Sequence, residues 1–191
     1  MKMLRFFLRS LWCALILGHG GVLASELSQS LKSPSFVLLM RHAYAPGVGD
    51  PAGYSLQRCE SQRLLNDEGQ QQAQRIGQWL RRQGIEQAWV HSSVWCRCQE
   101  TAQRLGLGPV KIEPSLASFF DEPHRAQAQT VALQQFVAQA RQTKKDQALI
   151  LVTHHVNIRE YMGQDIGSGD MVLARVDAQG RVMSYKIYPS P

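Results

Sequence analysis

The sequence predicts a three-layer α/β sandwich in which helices cover both faces of a mostly parallel β-sheet. Three observations support this fold class. Apolar runs such as Ala148–Val152 show no polar alternation, which is typical of strands buried on both faces. Helical patterns lie between these runs, as in βαβ units. The chain has 191 residues, which is enough for one domain of this kind.

Six strands are predicted along the chain. Four are short apolar runs, at Ser35–Met40, Ala88–Val90, Val110–Ile112 and Ala148–Val152. Two later segments, Met171–Val176 and Val182–Ile187, flank a polar turn at residues 177–180 and predict a closing hairpin. Open sheets of this class bind ligands beyond the carboxyl ends of their strands. The residues that directly follow each strand are therefore the first candidates for a functional site.

Four helices and one long loop complete the predicted fold. The first helix follows Asn66, a credible N-cap, and is stopped by Gly84. Ser93 is the expected N-cap of the second helix, which continues through Leu105. Two further helices are expected at Thr130–Arg141 and near Ile158–Met162. Residues 43–64 contain three glycines and two prolines and predict a long loop, and loops of this length are usually functional or disordered.

The N-terminus has the pattern of a secretory signal peptide. Three basic residues precede the short apolar stretch Leu11–Leu17, and small residues lead to a cleavage site after Ala24. The stretch is far too short to span a membrane. The predicted organisation is a signal peptide at residues 1–24, a linker at 25–34 and one domain at 35–191. The mature protein is expected to be periplasmic or secreted, without a membrane anchor.

Composition gives little support to nucleic-acid binding. The formal net charge is +6, and removal of the three cations in residues 1–24 lowers it to +3. No run of five basic residues occurs, and no basic patch is interleaved with aromatic residues.

The cysteines predict one disulfide bond in an oxidising compartment. Once the signal peptide is removed, three cysteines remain. Cys59 is expected to pair with either Cys96 or Cys98, which leaves one thiol free. The sequence does not decide between the two pairings.

Arginine and histidine side chains cluster just after the predicted strands. Arg41 and His42 directly follow the first strand, His154 follows the fourth strand after one residue, and Arg97 lies in the first turn of the second helix. Two guanidinium groups suit a tetrahedral oxyanion. A neutral imidazole can attack phosphorus, and a second, once protonated, can stabilise the developing charge. These residues predict phosphoryl transfer with no metal or other cofactor.

Four segments resemble motifs of the histidine phosphatase superfamily, which is also called phosphoglycerate-mutase-like. They are LLMRHA, with Ala43 where the family commonly has glycine, LNDEGQQQAQRIG, SVWCRCQETA and LVTHHVNI. Their order and spacing agree with the family across residues 35–165, and the sequence is especially similar to the short exported members. The resemblance implies a phosphoglycerate-mutase-like fold and a phosphatase that forms a phosphohistidine intermediate.

The resemblance also implies a role for each residue of the cluster. His42 would be the nucleophile, and Arg41, Arg97 and His154 would complete the phosphate pocket. The family commonly has an acidic residue after the third strand, and the equivalent position here lies nearest Ser118. Asp121 is therefore the preferred candidate for the general acid, with Glu122 as the alternative. Three further residues are candidates for the substrate side of the site: Gln62, Arg63 and Asn157.

Several functions remain open at this stage. The first is hydrolysis of small phosphomonoesters, and a narrower version is a phosphatase specialised for lipopolysaccharide sugar phosphates or for phosphohistidine proteins. A phosphate-binding module with little turnover is the second. An exported metal-binding protein, using His154 and His155 with Cys96 and Cys98, is the third. Against it, the spacing matches no common ligand pattern, and adjacent histidines on an extended segment point to opposite sides.

Overall fold

The computed structural model describes residues 25–191, so the expected signal peptide lies outside the described residues. It confirms the predicted three-layer α/β fold. The strands are β1 (Phe36–Arg41), β2 (Ala88–Ser92), β3 (Val110–Ile112), β4 (Ala148–Thr153), β5 (Met171–Val176) and β6 (Val182–Tyr188). The helices are α1 (Glu26–Lys32), α2 (Asp67–Arg82), α3 (Cys96–Leu105), α4 (Ala126–Thr143) and α5 (His155–Met162).

The sheet order places the ends of β1 and β4 side by side. The strands follow the order β3-β2-β4-β1-β5-β6, in which the first four are parallel and the last two pair in antiparallel fashion. Arg41, the last residue of β1, is in register with Thr153, the last residue of β4. The residues that follow these two strands therefore emerge next to each other at one edge of the sheet.

Two apolar cores, one on each face of the sheet, explain the absence of polar alternation. Leu38 and Met40 of β1 pack into the core beneath α1, α2 and α3. Val37 and Leu39 point to the opposite face and pack into the core beneath α4 and α5. The four central side chains of β1, Val37–Met40, are thus buried on both faces of the sheet.

Helix α1 corrects one prediction about domain organisation. Residues 25–34 are not a linker, because most of them form α1, with Ser25 as N-cap. Leu27 and Leu31 lie one turn apart on the same helix face and are buried in the core. The domain therefore includes these residues. No helix within residues 25–191 is long and apolar enough to cross a membrane.

A disulfide fixes the long loop 43–64 to the beginning of α3. Cys59 is bonded to Cys96, which is one of the two pairings that the sequence leaves open. Among residues 25–191, Cys98 is the free cysteine, and it is buried. The bridge also holds the loop beside Arg97, the residue that follows Cys96.

Candidate active site

A cavity of about 220 Å³ lies at the carboxyl ends of β1 and β4. Its lining includes five of the residues singled out from the sequence: Arg41, His42, Arg63, Arg97 and His154. Strand ends, the N-terminus of α3 and the loop 43–64 contribute these residues, which are far apart in the sequence. The fold therefore brings the predicted anion-binding cluster together in one place.

The hydrogen bonds of His42 determine which ring nitrogen can react. The side chain is buried, and the backbone N–H donates to the carbonyl of Thr153 at 2.9 Å. Nδ1 lies 2.8 Å from the carbonyl oxygen of Ala43. Because a carbonyl oxygen only accepts hydrogen bonds, Nδ1 must carry the proton. Nε2 is then left with its lone pair, as a nucleophile requires.

His154 lies next to His42 at the bottom of the cavity. The two ring centroids are 5.5 Å apart, and the rings meet edge to face. Nε2 of His154 is 2.9 Å from the hydroxyl oxygen of Ser93, so Nδ1 is the nitrogen left for a ligand. The N-cap of α3 is Trp95, not Ser93 as the sequence predicts. The Ser93 hydroxyl group contacts His154 instead.

Each of the two predicted arginines has a buried guanidinium N–H group without a partner among residues 25–191. Arg41 donates from Nη1 to the carbonyl of Ile166 at 3.0 Å, but its Nε is unpaired. Arg97 is held at Nη1 by Asp50, and its Nε is also unpaired. Buried donors without partners are costly, and an anionic ligand in the cavity would satisfy both.

Asp50 belongs to the cavity but was not predicted from the sequence. Its Oδ1 accepts from Arg97 Nη1 at 2.8 Å and from the Arg63 backbone N–H at 2.9 Å. Its Oδ2 accepts from Trp95 Nε1 at 3.0 Å and from the same Arg97 Nη1 at 3.1 Å. Asp50 lies within a glycine-rich loop, where an aspartate is usually solvated, so no local signal marks it.

The electrostatics of the cavity favour neutral histidines and an anionic ligand. Burial, reinforced by the positive charge of Arg97, lowers the pKa of His42 well below 6.5. Burial and Arg97 lower the pKa of His154 in the same way. Three guanidinium groups and one carboxylate line the cavity, which leaves an excess of two positive charges. A phosphomonoester carries nearly two negative charges at neutral pH, so its charge matches that of the cavity.

Two of the predicted substrate-side residues have structural contacts outside the cavity. Gln62 is buried, donates to the Ser55 carbonyl at 3.0 Å and accepts from the Cys96 N–H at 3.0 Å. Asn157 donates to the Ala117 carbonyl at 2.9 Å. Neither side chain is among the lining residues, whereas Arg63 is.

Neither candidate for the general acid lines the cavity. Asp121 accepts a hydrogen bond from the Tyr54 hydroxyl at 3.3 Å, and Glu122 pairs with Arg125 at 2.8 Å on the surface. Ser118, the residue nearest the family's acidic position, does line the cavity. Both carboxylates thus lie outside the lining that contains the histidines, and the role of Asp121 stays a prediction.

His155 lies closer to the site than its place beside His154 on a predicted extended segment indicates. His154 is the last extended residue and His155 the first residue of α5, so the two rings do not alternate as they would along a strand. Both line the cavity, where His155 packs against Phe120 with centroids 5.8 Å apart. Within residues 25–191, no group of three or more His, Cys, Asp or Glu side chains is arranged to hold a metal ion.

The fold and the cavity define a class of protein: an α/β domain whose strand ends bring arginines and histidines together in a cavity suited to an oxyanion. Comparison with protein families gives a match to part of the chain. Residues 37–122 match the model of the histidine phosphatase superfamily (branch 1). This match over 86 residues agrees with the superfamily that the sequence motifs resemble. The matched region contains Arg41, His42 and Arg97, and the fold adds His154 from outside it.

Solved structures with the same fold include several phosphatases. One is the protein histidine phosphatase SixA complexed with tungstate, with a TM-score of 0.51 and 16% identity, covering 80% of this chain and 94% of SixA. Another is phosphoserine phosphatase from Entamoeba histolytica in complex with 3-phosphoglyceric acid, with a TM-score of 0.56 and 13% identity, covering 78% and 95%. A third is mycobacterial glucosyl-3-phosphoglycerate phosphatase with inorganic phosphate, with a TM-score of 0.58 and 13% identity, covering 82% and 97%. At these identities the likeness shows a shared fold. No curated protein matches the chain.

Proposed function

We propose that the protein is a phosphatase that hydrolyses phosphomonoesters through a phosphohistidine intermediate on His42. One observation carries the proposal: the unpaired Nε groups of Arg41 and Arg97 belong to side chains that line the same cavity as His42. Two guanidinium donors beside a neutral imidazole form a site for a tetrahedral anion next to a nucleophile. The superfamily match supports the same chemistry.

The proposed reaction has two steps. Nε2 of His42 attacks phosphorus in line with the leaving oxygen, so a phosphorus–nitrogen bond forms as the phosphorus–oxygen bond breaks. Arg41 and Arg97 hold the equatorial oxygens, and neutral His154 donates a hydrogen bond to them from Nδ1–H while its Nε2 accepts from the Ser93 hydroxyl. Water then attacks phosphorus as the phosphorus–nitrogen bond breaks, and phosphate leaves with one proton of the water. The other proton passes through solvent to the oxygen that departed in the first step, and His42 is regenerated as a neutral ring. In both steps, side chains of the protein supply the nucleophile and the groups that bind the phosphoryl oxygens.

The cavity suits substrates whose leaving group departs without help. Asp50 is the carboxylate among the lining residues, and its oxygens already accept hydrogen bonds from Arg97, Trp95 and Arg63. Both oxygens are thus engaged as acceptors, and neither is free to contact a leaving oxygen. Aryl phosphates are therefore expected to react faster than alkyl phosphates. Phosphohistidine proteins and lipopolysaccharide sugar phosphates remain candidates for the natural substrate.

A labelled phosphoenzyme tests the proposal directly. The protein is mixed with ³²P-labelled 4-nitrophenyl phosphate and denatured in alkali, because a phosphorus–nitrogen bond is labile in acid. Wild-type protein should retain label on one histidine. His42→Ala should retain none and should lose about 10³-fold or more of its activity, because the nucleophile is gone. His124→Ala, which changes an exposed histidine outside the cavity, is the matched control.

The same experiment distinguishes the second candidate, a phosphate-binding module. One observation favours this alternative: among the described residues that line the cavity, the carboxylate is Asp50, whose oxygens are already hydrogen-bonded. A binding module would bind inorganic phosphate with Arg97 but would show neither label nor turnover. Turnover that persists in His42→Ala would contradict the phosphohistidine mechanism. Hydrolysis is also expected to survive EDTA.

We further propose that the protein works in the periplasm or outside the cell. The charge and apolar pattern of residues 1–24 supports export. The Cys59–Cys96 disulfide supports an oxidising compartment. N-terminal sequencing of the exported protein should begin at Ser25, and retention of residues 1–24 on the mature chain would contradict this proposal.

A further inference from the structure

Asp50 occupies an unusual place for a carboxylate, inside a cavity suited to phosphate. Its side chain is 3% exposed, and each oxygen accepts two hydrogen bonds. The donors come from Arg97, Trp95 and the backbone of Arg63. A negative charge here repels an incoming phosphate, so its presence calls for a compensating role.

Asp50 contacts the Arg97 guanidinium at one nitrogen, Nη1. Both carboxylate oxygens contact Nη1, at 2.8 and 3.1 Å. The Nε group remains buried and unpaired, and Arg97 is also close to the Trp95 ring, with 5.9 Å from its central carbon to the ring centroid. Two contacts at Nη1 restrict rotation of the guanidinium, so the position of its unpaired Nε is restricted as well. This is how preorganisation for an oxyanion is achieved.

The loop that carries Asp50 is joined to α3 by one covalent bond and several polar bonds. The Cys59–Cys96 disulfide ends one residue before Arg97. Beside it, Gln62 Oε1 accepts from the Cys96 N–H at 3.0 Å. These bonds attach the loop to the same helical turn that carries the phosphate-binding arginine. The position of Asp50 relative to Arg97 is therefore determined by the closed loop.

We propose that Asp50 is a positioning residue that orients Arg97 for phosphate, and that the Cys59–Cys96 disulfide keeps Asp50 in place. The inference rests on the proposed phosphatase function, because it assigns a role within that site. A positioning residue and a simple counter-ion change phosphate affinity in opposite directions when they are removed. A counter-ion competes with phosphate, so its removal tightens phosphate binding. A positioning residue orders the arginine, so its removal weakens binding and slows turnover.

The test measures phosphate binding and turnover in two variants at Asp50. Inorganic phosphate affinity is measured by calorimetry, and kcat and KM are measured with 4-nitrophenyl phosphate. Asp50→Ala should lower kcat/KM by about 10²-fold, the order expected when a catalytic group is misplaced by about 1 Å. Asp50→Asn keeps an acceptor for Arg97 and should recover part of this loss. Both variants should bind phosphate more weakly than the wild type.

A matched control separates this role from the general loss of a buried or paired carboxylate. Glu100→Gln removes a carboxylate that pairs with Arg104 at 2.9 Å on the same helix, away from the cavity lining. It should leave kcat, KM and phosphate affinity unchanged. The double variant Cys59→Ser/Cys96→Ser should reproduce the Asp50→Ala pattern at smaller amplitude, because the loop can then leave α3. Thermal unfolding identifies any variant that is not folded.

The outcomes are distinct. Tighter phosphate binding in a folded Asp50→Asn protein, or unchanged binding and kcat/KM, would overturn the positioning role. If Asp50→Ala does not fold, Asp50→Asn decides the question. Weaker phosphate binding in the Asp50 variants, together with activity that persists in His42→Ala, would retain the positioning role and reject the phosphohistidine mechanism. The two hypotheses therefore fail separately.

Discussion

The two ends of the cavity are built in different ways. At the end proposed to bind phosphate, called the phosphate end, His42, Arg97 and His154 are 1%, 3% and 2% exposed, and each lies beside or within the first turn or the last residue of a regular element. In the part of the lining called the loop end, Ser118 and Phe120 belong to an irregular segment, and Phe120 is 43% exposed. Strand ends hold side chains in fixed positions, whereas loops vary more readily. The phosphate end is thus suited to a constant chemistry and the loop end to a particular substrate.

This difference implies that substitutions at the two ends have unequal effects. A change at the phosphate end alters an arrangement held by the sheet, and neighbouring groups cannot replace the lost side chain. A change at the loop end alters side chains that are partly exposed to solvent, so water can replace part of the lost contact. Effects on turnover should therefore be large and independent of the leaving group at the phosphate end. At the loop end they should be small or specific to one class of substrate.

The largest effect after loss of the nucleophile is expected at Arg97. Arg97→Met keeps much of the length of the side chain and removes its charge and donors. We expect kcat/KM to fall by about 10³-fold for aryl and alkyl phosphates alike, since a donor to the transferring group is lost. Steady-state kinetics with both substrate classes measure the effect.

Arg104→Met provides the control, because Arg104 lies on the same helix and pairs with Glu100 at 2.9 Å. Its kinetics should match those of the wild type. A small effect of Arg97→Met would show that the phosphate end is less constrained than its burial indicates, and the contrast between the two ends would be lost.

A smaller but diagnostic effect is expected in the titration of His42. Burial is the main cause that lowers its pKa below 6.5, and Arg97 is the next. The ring should therefore be neutral at pH 6.5 and should gain a proton only in more acidic solution. In Arg97→Met a nearby positive charge is absent, so the pKa should rise and protonation should begin at higher pH.

Ring ¹⁵N chemical shifts, recorded against pH, measure this change. The same spectra should show Nδ1 protonated in the neutral ring, because it donates to the Ala43 carbonyl. Arg104→Met should titrate like the wild type. A His42 ring that is already charged at pH 6.5 in the wild type would contradict the description of the phosphate end as a site with neutral imidazoles.

The phosphate end could be predicted from the sequence for a physical reason. Buried parallel strands are apolar on both faces, so their ends are visible as the point where polar residues begin. Arg41 and His42 follow such an end directly, and the register of Arg41 with Thr153 brings His154 beside them. Local pattern and sheet topology together were sufficient. The core positions of helix α1 carried a similar signal, the spacing of Leu27 and Leu31, which the linker interpretation overlooked.

The loop contribution could not be predicted, because it depends on how the loop 43–64 docks. Nothing in the sequence around Asp50 distinguishes it from a solvated loop aspartate. Its role follows from contacts with Trp95 and Arg97, which form only when the loop closes on α3. The partner of Cys59 was ambiguous for the same reason, since Cys96 and Cys98 differ mainly in the direction each takes from the helix.

The smallest effect is expected at Asp121, the residue that the resemblance favours as the general acid. Its carboxylate lies outside the cavity lining and accepts a hydrogen bond from Tyr54. Asp121→Asn should therefore change kcat/KM by less than about threefold, for aryl and alkyl phosphates alike, as is usual for a solvated loop charge. Tyr54→Phe, which removes the donor, is the matched comparison. A general acid matters most when the leaving group is poor. If Asp121→Asn slowed alkyl phosphates tenfold and spared aryl phosphates, the loop would have to bring this carboxyl into the cavity during turnover, and the loop end would take part in the chemistry.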